Sequence, residues 1–295
     1  MRKALLLTIT LFIGLYALSQ KNKSVELNWK IKDGDTLTYL TVMKEIDTSV
    51  FKFEMKNIFG VLNDSTNDKN EDASQYFKKI NQAYQNIDLI TALTSSQEGI
   101  VDITMKMRPK EELDTTELDS NDKKINEVLA RARSLNQGIS LRGSVYSDGN
   151  IHSFWLKSSQ KNLVAFFFQL PPYPVQVGDS WSLDVNFIAN GAGFICDSSH
   201  RANEVTLTEI KKIKGEKIAV VKYNLEEYVQ GTFNISFMPG PSKPNETTMH
   251  FTHQAVAEFS IDNGKWISYN GILGLNTTGY MNSNSSKNFS LIEEK

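Results

Sequence analysis

Apolar and polar residues alternate along most of this chain, which is the pattern of β-strands that bury one face. Residues 25–31 and 37–43 both alternate, and an Asp-Gly-Asp turn separates them. The clearest hairpin spans residues 203–228, where two alternating runs flank the sequence KGEK. Gly215 in that turn tolerates the positive φ that tight hairpins require. The pattern therefore predicts antiparallel strands over most of the chain.

Three stretches depart from this alternation and predict helices. Apolar residues recur every three or four positions over residues 73–87 and 120–137, and residues 162–170 form a shorter apolar run closed by two prolines. Asp148-Gly149 and Asn263-Gly264 mark two more hairpins. The expected fold class is α+β and predominantly antiparallel β. Sandwich or half-barrel-like sheets would be covered by two or three short packing helices.

A weak internal repeat predicts two β-rich halves. Gly34-Asp35 opens the first strand block and Gly178-Asp179 opens the second, and each block closes with a hairpin turn and an aromatic-bearing strand. The expected segments are listed here in chain order: a signal peptide (1–19), an N-terminal half with amphipathic helices (20–170), a C-terminal half (171–285) and a polar tail (286–295).

The first nineteen residues have the features of a secretory signal peptide. Arg2 and Lys3 precede the apolar run 4–15, and the small residues Ala17 and Ser19 lie at positions −3 and −1 of a cleavage site. Since no cysteine lies at the cut, we expect a protein that is periplasmic or secreted, and soluble rather than lipid-anchored. No later apolar run reaches membrane length, so no transmembrane segment is expected in the mature chain.

The net charge bears on the partners of the chain, and the cysteine count bears on its disulfides. The chain has 32 Lys and Arg against 34 Asp and Glu, a net charge of −2 and a pI near 6.1. Nucleic acid is not an expected partner, because phosphate binding needs a basic surface. Cys196 is the only cysteine, so an intramolecular disulfide is impossible.

The sequence LPPYPVQVGDSW (170–181) resembles the signature of an uncharacterised family of exported, β-rich proteins of the Bacteroidetes envelope. The chain is similar to that family in three further places, at residues 32–39, 145–149 and 262–266. The resemblance implies a β-rich envelope protein. It implies no activity and no catalytic residues, because the motifs mark the positions of strands and turns and carry no reactive groups.

Two motifs could hold a metal. His250 and His253 form H-x-x-H, but the flanking residues favour a strand, where side chains three apart point to opposite faces. Residues 68–72 imitate the start of a calcium loop, yet the glycine and bidentate glutamate that should follow are missing. We therefore expect two ordinary strand histidines and a solvated acidic segment, with no metal or cofactor.

Nucleophilic and acid–base chemistry has equally weak support. Cys196 with Asp197 and His200 could form a nucleophile and base, but Cys196 has the apolar neighbours of a structural residue. Ser198-Ser199 has no G-x-S-x-G context. The adjacent acids of the pairs at 111–112 and 226–227 should face opposite ways if they lie on strands. No catalytic residue is assigned.

Large aromatic residues concentrate in the second half and offer two interpretations. They either close the core or line an apolar groove in a curved sheet, and the core is favoured. They are Trp155, Phe166, Phe167, Phe168, Trp181, Phe233, Phe237, Trp266 and Tyr269.

Two functions from different classes follow. The favoured one is a non-catalytic binding module for an apolar ligand or a partner protein in the cell envelope. The alternative is an exported hydrolase whose site assembles only in three dimensions, from Cys196, His200, His250 or His253. A cleft with paired titratable groups would favour the enzyme, and an apolar groove without them would favour binding.

Overall fold

The computed structural model describes residues 24–46, 51–52, 87–97, 99–109, 138–156, 161–188, 194–233, 245–279 and 282–294. Within this part of the chain the backbone forms twelve strands and one helix. They are β1 (Thr36–Glu45), β2 (Phe51–Lys52), β3 (Ile87–Gln97), β4 (Ile100–Pro109), β5 (Gly138–Tyr146), β6 (Ile151–Leu156), α1 (Lys161–Phe168), β7 (Ser180–Trp181), β8 (Phe194–Ile213), β9 (Glu216–Phe233), β10 (Asn245–Ser260), β11 (Lys265–Thr278) and β12 (Asn282–Glu294).

All the strands belong to one open antiparallel sheet. Their order is β6-β5-β4-β3-β1-β12-β11-β10-β9-β8-β7, with β2 paired to β12. The predominantly antiparallel β class is thus confirmed, in the form of a single sheet. Strands from both predicted halves are hydrogen-bonded to each other, because β1 lies between β3 and β12.

Residues 286–294, which were predicted as part of a polar tail, lie within β12. Its residues Phe289 and Leu291 alternate with polar neighbours and are buried against the core. That alternation is the strand signal that the polar composition of the tail obscured.

Two backbone hydrogen bonds show that the sheet is strongly curved. The N–H of Trp29 donates to the carbonyl of Ser147 (2.6 Å), and the N–H of Lys30 donates to the carbonyl of Gly264 (3.1 Å). Ser147 follows β5 and Gly264 precedes β11, five strand steps or about 24 Å apart in a flat sheet. Neighbouring residues can reach both only if the sheet curls. We call the enclosed side the concave face and the other side the convex face.

Residues 25–31 cross the concave side and do not form the predicted strand. The single bridge there joins Val25 to Val175. The alternation is real, because Leu27 and Trp29 are buried while Asn28 and Lys30 are more exposed. The buried residues of this alternation pack the crossing segment onto the core. Among the described residues, no strand lies beside the segment to form continuous backbone hydrogen bonds with it.

Helix α1 covers the middle of the concave face and confirms the predicted helix at 162–170. Phe166, Phe167 and Phe168 are buried. The C-terminal carbonyls of the helix accept hydrogen bonds from indoles, Trp266 Nε1 to Phe167 (2.7 Å) and Trp29 Nε1 to Phe168 (3.2 Å). These bonds satisfy helix-end acceptors that would otherwise be buried without a partner.

The predicted hairpins are all present. Lys214 and Gly215 take positive φ angles of 50° and 93° in the turn between β8 and β9. The turns at Gly149 and Gly264 join β5 to β6 and β10 to β11.

The other two predicted helices lie outside the described residues, except that Ile87 begins β3. No helix among the described residues is long and apolar enough to cross a membrane.

Candidate binding groove on the convex face

A shallow groove of about 680 Å³ runs across five strands on the convex face, from β1 through β12, β11 and β10 to β9. Its volume is within the range of small-molecule sites. The groove is lined by Val42, Lys44, Lys222, Tyr223, Gln254, Ala255, Val256, Asn270, Gly271, Ile272, Asn288, Ser290 and Ile292.

Exposed aliphatic side chains give the groove its apolar surface. Val256, Ile272 and Ile292 are 50%, 48% and 51% exposed. β-branched residues suit strands, but exposure of this extent leaves apolar area in water. Amide and hydroxyl groups from Asn270, Asn288 and Ser290 alternate with them. The surface can therefore pack against an apolar ligand and donate hydrogen bonds at its rim.

Two lysines stand at opposite ends of the groove. Lys44 lies on β1 and Lys222 on β9, four strand steps or about 19 Å apart. Neither lysine forms an ion pair within the described part of the chain, and the described residues that line the groove include no carboxylate. The groove is therefore positively charged at both ends.

Close packing of β10 and β11 forms the floor of the groove. Gly271 lies opposite Ala255, and a Cβ atom at Gly271 would lie 2.5 Å from the Cβ of Ala255. Real side chains do not approach so closely, so only glycine allows this approach. The side chain of Ala255 points to the concave face, which leaves backbone at the bottom of the groove.

The two histidines of the H-x-x-H motif point to opposite faces of β10, as the strand interpretation predicts. His253 is fully buried on the concave side, where its Nε2 lies 2.6 Å from the hydroxyl of Tyr269. The Phe166 ring lies 4.5 Å from the imidazole. Burial lowers the pKa of His253 to about 4, opposed in part by the backbone of Ile272. His253 is therefore a neutral core residue at pH 7.

Its partner His250 lies on the convex face. Its Nε2 is 2.8 Å from Oε1 of Glu226, and both side chains are about 40% exposed. Tyr228, directly opposite His250 on β9, packs edge-on against the imidazole. This titratable pair lies on an open sheet surface and not in a cleft, so it lacks the water exclusion of an active site.

A serine–histidine contact lies elsewhere on the convex face, beside a depression of about 520 Å³. The hydroxyl of Ser144 is 2.9 Å from Nδ1 of His152 and 3.0 Å from the hydroxyl of Ser153. Asp102 lies opposite Ser144 on β4. Ser144 is 5% exposed, so its hydroxyl joins strands and is poorly placed to attack a substrate.

The remaining candidate groups are not assembled into a site. Cys196 is exposed on β8, and a β-bulge separates it from His200. Glu226 and Glu227 face opposite sides as predicted, because Glu227 accepts hydrogen bonds from the backbone N–H groups of Phe187 (2.8 Å) and Ile188 (3.3 Å). The calcium-like segment 68–72 and the acidic pair at 111–112 lie outside the described residues.

The aromatic residues whose side chains the structure describes belong to the core, as favoured from the sequence. Six of the nine are buried, namely Phe166, Phe167, Phe168, Trp181, Trp266 and Tyr269. The side chains of the other three are outside the described part of the structure: Trp155, Phe233 and Phe237. The groove is instead aliphatic and lies on the other face of the sheet.

The fold and the groove define a class: a single curved antiparallel sheet, closed on its concave side by one helix and crossing segments, with an open amphiphilic convex face. Comparison with protein-family models and with curated proteins finds no match. The resemblance carried by residues 170–181 therefore stays a prediction.

Sequence reasoning considered an apolar groove only among the aromatic residues and missed this aliphatic one. A signal for part of it exists, because Val256, Ile272 and Ile292 are aliphatic residues at outward positions of strands otherwise rich in Asn, Ser and Thr. Lys44 lies at the end of the groove opposite Lys222 only because β1 pairs with β12. No local pattern encodes that long-range pairing.

Proposed function

We propose that this chain is an exported, non-catalytic binding protein of the cell envelope that holds an apolar ligand or a partner protein. The observation that supports it best is the groove itself, a row of half-exposed aliphatic residues between two lysines. Exposed apolar patches with polar rims are typical of interaction sites. Export rests on the features of residues 1–19.

Native purification tests this proposal. The chain is expressed with its N-terminal segment, recovered from the periplasm and the medium without detergent, and bound lipid, glycan or protein is identified by mass spectrometry. We expect a reproducible companion that is depleted when Ile272 is replaced by threonine. Recovery of the chain without any companion from both compartments would contradict the binding function.

The alternative is an exported hydrolase. The two contacts that favour it are His250 with Glu226 (2.8 Å) and Ser144 with His152 (2.9 Å), since a base beside an acid or a hydroxyl is the start of a catalytic group. We expect no hydrolysis of chromogenic ester, amide or glycoside panels. If a substrate is turned over, and His250→Gln or His152→Gln abolishes that turnover, the hydrolase would be established instead.

A further inference from the structure

The charges around the groove select the sign of its ligand. Lys222 lies opposite Val256 on β10 and has two acids as diagonal neighbours. Glu258 on β10 binds the ammonium group of Lys211 at 2.5 Å, and Glu204 on β8 accepts a hydrogen bond from the Ser180 hydroxyl at 3.0 Å. Neither acid forms an ion pair with Lys222. At the other end Lys44 lies opposite Asn288, which is neutral.

The apolar surface lies between these charges. Asn288 separates Lys44 from Ile272, and Ile272 is a diagonal neighbour of Val256 across β10 and β11. Diagonal side chains on one face lie about 7–8 Å apart. A path from either lysine toward the middle of the groove therefore leads onto aliphatic side chains.

We propose that the groove binds a single-chain amphiphile with an anionic head group, an inference that rests on the proposed binding function. The head group lies at the ammonium group of Lys222, and the alkyl chain runs over Val256 and Ile272 toward Lys44. The amides of Gln254 and Asn270 line the same path and can donate hydrogen bonds to the head group.

The dimensions of the groove support an extended chain. The groove is about 19 Å long between its lysines, by the spacing of strands, and its volume is about 680 Å³. Each methylene that leaves water on binding contributes roughly fourfold in affinity. Head-group attraction alone contributes less, because exposed ion pairs are worth only about two- to fivefold.

Calorimetric titration of the purified full chain tests the proposal with three probes that share a twelve-carbon chain: dodecanoate, its neutral monoglyceride and dodecyltrimethylammonium. All are used below their micelle concentrations. We expect dodecanoate to bind most tightly and to weaken as salt is added. Lys222→Gln should weaken dodecanoate about two- to fivefold and leave the monoglyceride unchanged.

Matched variants separate the groove from the general surface. Ile272→Thr keeps a β-branched residue and should weaken dodecanoate and the monoglyceride alike, by about fourfold. Lys212→Gln and Ile213→Thr, at the far end of β8, change equivalent exposed side chains outside the groove lining and should have no effect. Thermal unfolding of each variant shows that the fold is retained.

The outcomes are distinct. Preference for dodecanoate that depends on Lys222 and Ile272 supports the proposal. Equal binding of the monoglyceride, with no effect of Lys222→Gln, would overturn the anionic head group and leave the proposed binding function intact. If none of the three probes binds, the amphiphile is wrong as a ligand class. A partner protein recovered by native purification would then still satisfy the proposed function.

Discussion

The concave and convex faces of the sheet are built by alternate residues of the same strands, yet they differ in almost every property. On β10 the inward residues Ala255, Ala257 and Phe259 are buried, whereas the outward residues Gln254 and Val256 are exposed. On the inward side Phe259 contacts Trp29 of the crossing segment and His253 contacts Phe166 of helix α1, and the outward set contacts solvent. The contrast separates the residues that stabilise the fold from those free to recognise a ligand.

On the concave face, the buried hydroxyl of Tyr39 is hydrogen-bonded to the backbone of Trp266. Its hydroxyl accepts a hydrogen bond from the N–H of Trp266 (2.9 Å) and lies 3.2 Å from the carbonyl of the same residue. Burial raises the pKa of Tyr39 well above its usual range. The Tyr39 hydroxyl therefore has its partners within the protein, whereas Lys44 and Lys222 on the convex face line the groove.

The largest expected effect is a cavity in the concave core. Phe167 is fully buried, stacks on Phe289 with ring centroids 5.1 Å apart, and contacts Tyr269 at 5.4 Å. Phe167→Ala should lower the free energy of unfolding by about 3–5 kcal/mol. Urea denaturation followed by tryptophan fluorescence measures this change.

The matched substitution on the convex face is Ile292→Thr, which should change the free energy of unfolding by about 0.5 kcal/mol or less. Similar losses for Phe167→Ala and Ile292→Thr would contradict the assignment of stability to the concave face.

Acid should destabilise the protein through His253. The pKa of His253 is about 4 in the folded chain and about 6.5 when unfolded. Between these values the unfolded chain binds a proton that the folded chain does not, so stability falls as the pH falls from 6.5 to 4. The loss from this group is about 3 kcal/mol, and it is complete below pH 4.

Measuring unfolding from pH 8 to pH 4 isolates this contribution. His253→Gln should flatten the profile by about that amount, whatever its effect at pH 7. His250→Gln, on the exposed face of the same strand, is the control, because it leaves His253 in place and the loss assigned to His253 should persist. A profile for His253→Gln parallel to that of the natural chain would show that His253 is not buried in neutral form.

Removing the Tyr39 hydroxyl should have a moderate effect. Tyr39→Phe leaves the buried N–H of Trp266 without its acceptor, which should cost about 1–2 kcal/mol. Tyr146→Phe is a suitable control, because Tyr146 is largely exposed. Chemical denaturation of both variants compares them directly, and an equal loss in the two would exclude a special role for the Tyr39 hydrogen bond.

The smallest expected effect comes from an ion pair. Lys265 Nζ lies 2.7 and 2.8 Å from the two carboxylate oxygens of Glu293, and both side chains are about 30% exposed. Lys265→Gln should lower the free energy of unfolding by less than about 1 kcal/mol, and less at high salt. A loss larger than that of Tyr39→Phe would contradict this ranking.

Much of the fold could be predicted because its signals are local. The alternation of residues 203–228 and the glycine of their turn define β8 and β9 without knowledge of the rest. Residues 25–31 carry the same alternation but lack a neighbouring strand, and only the tertiary structure shows this. Alternation reports a buried side and not the partner that buries it.

The candidate site was much harder to predict. The strand geometry of His250 and His253 follows from their spacing, whereas the groove depends on which strands become neighbours. Lys44 and Lys222 are far apart in sequence and come to one surface only through four strand pairings. Antiparallel pairing of this kind is set by long-range register, which a single sequence does not reveal.

The most direct test of the central claim is photolabelling of the full chain with dodecanoate that carries a diazirine in its alkyl chain. Mass spectrometry then locates the labelled residues. Labels that concentrate on β9, β10 and β11 at convex positions such as Val256 and Ile272, and that unlabelled dodecanoate displaces, are the predicted result. Displaceable labels on concave residues such as Phe289 would place the ligand inside the sheet and contradict the account.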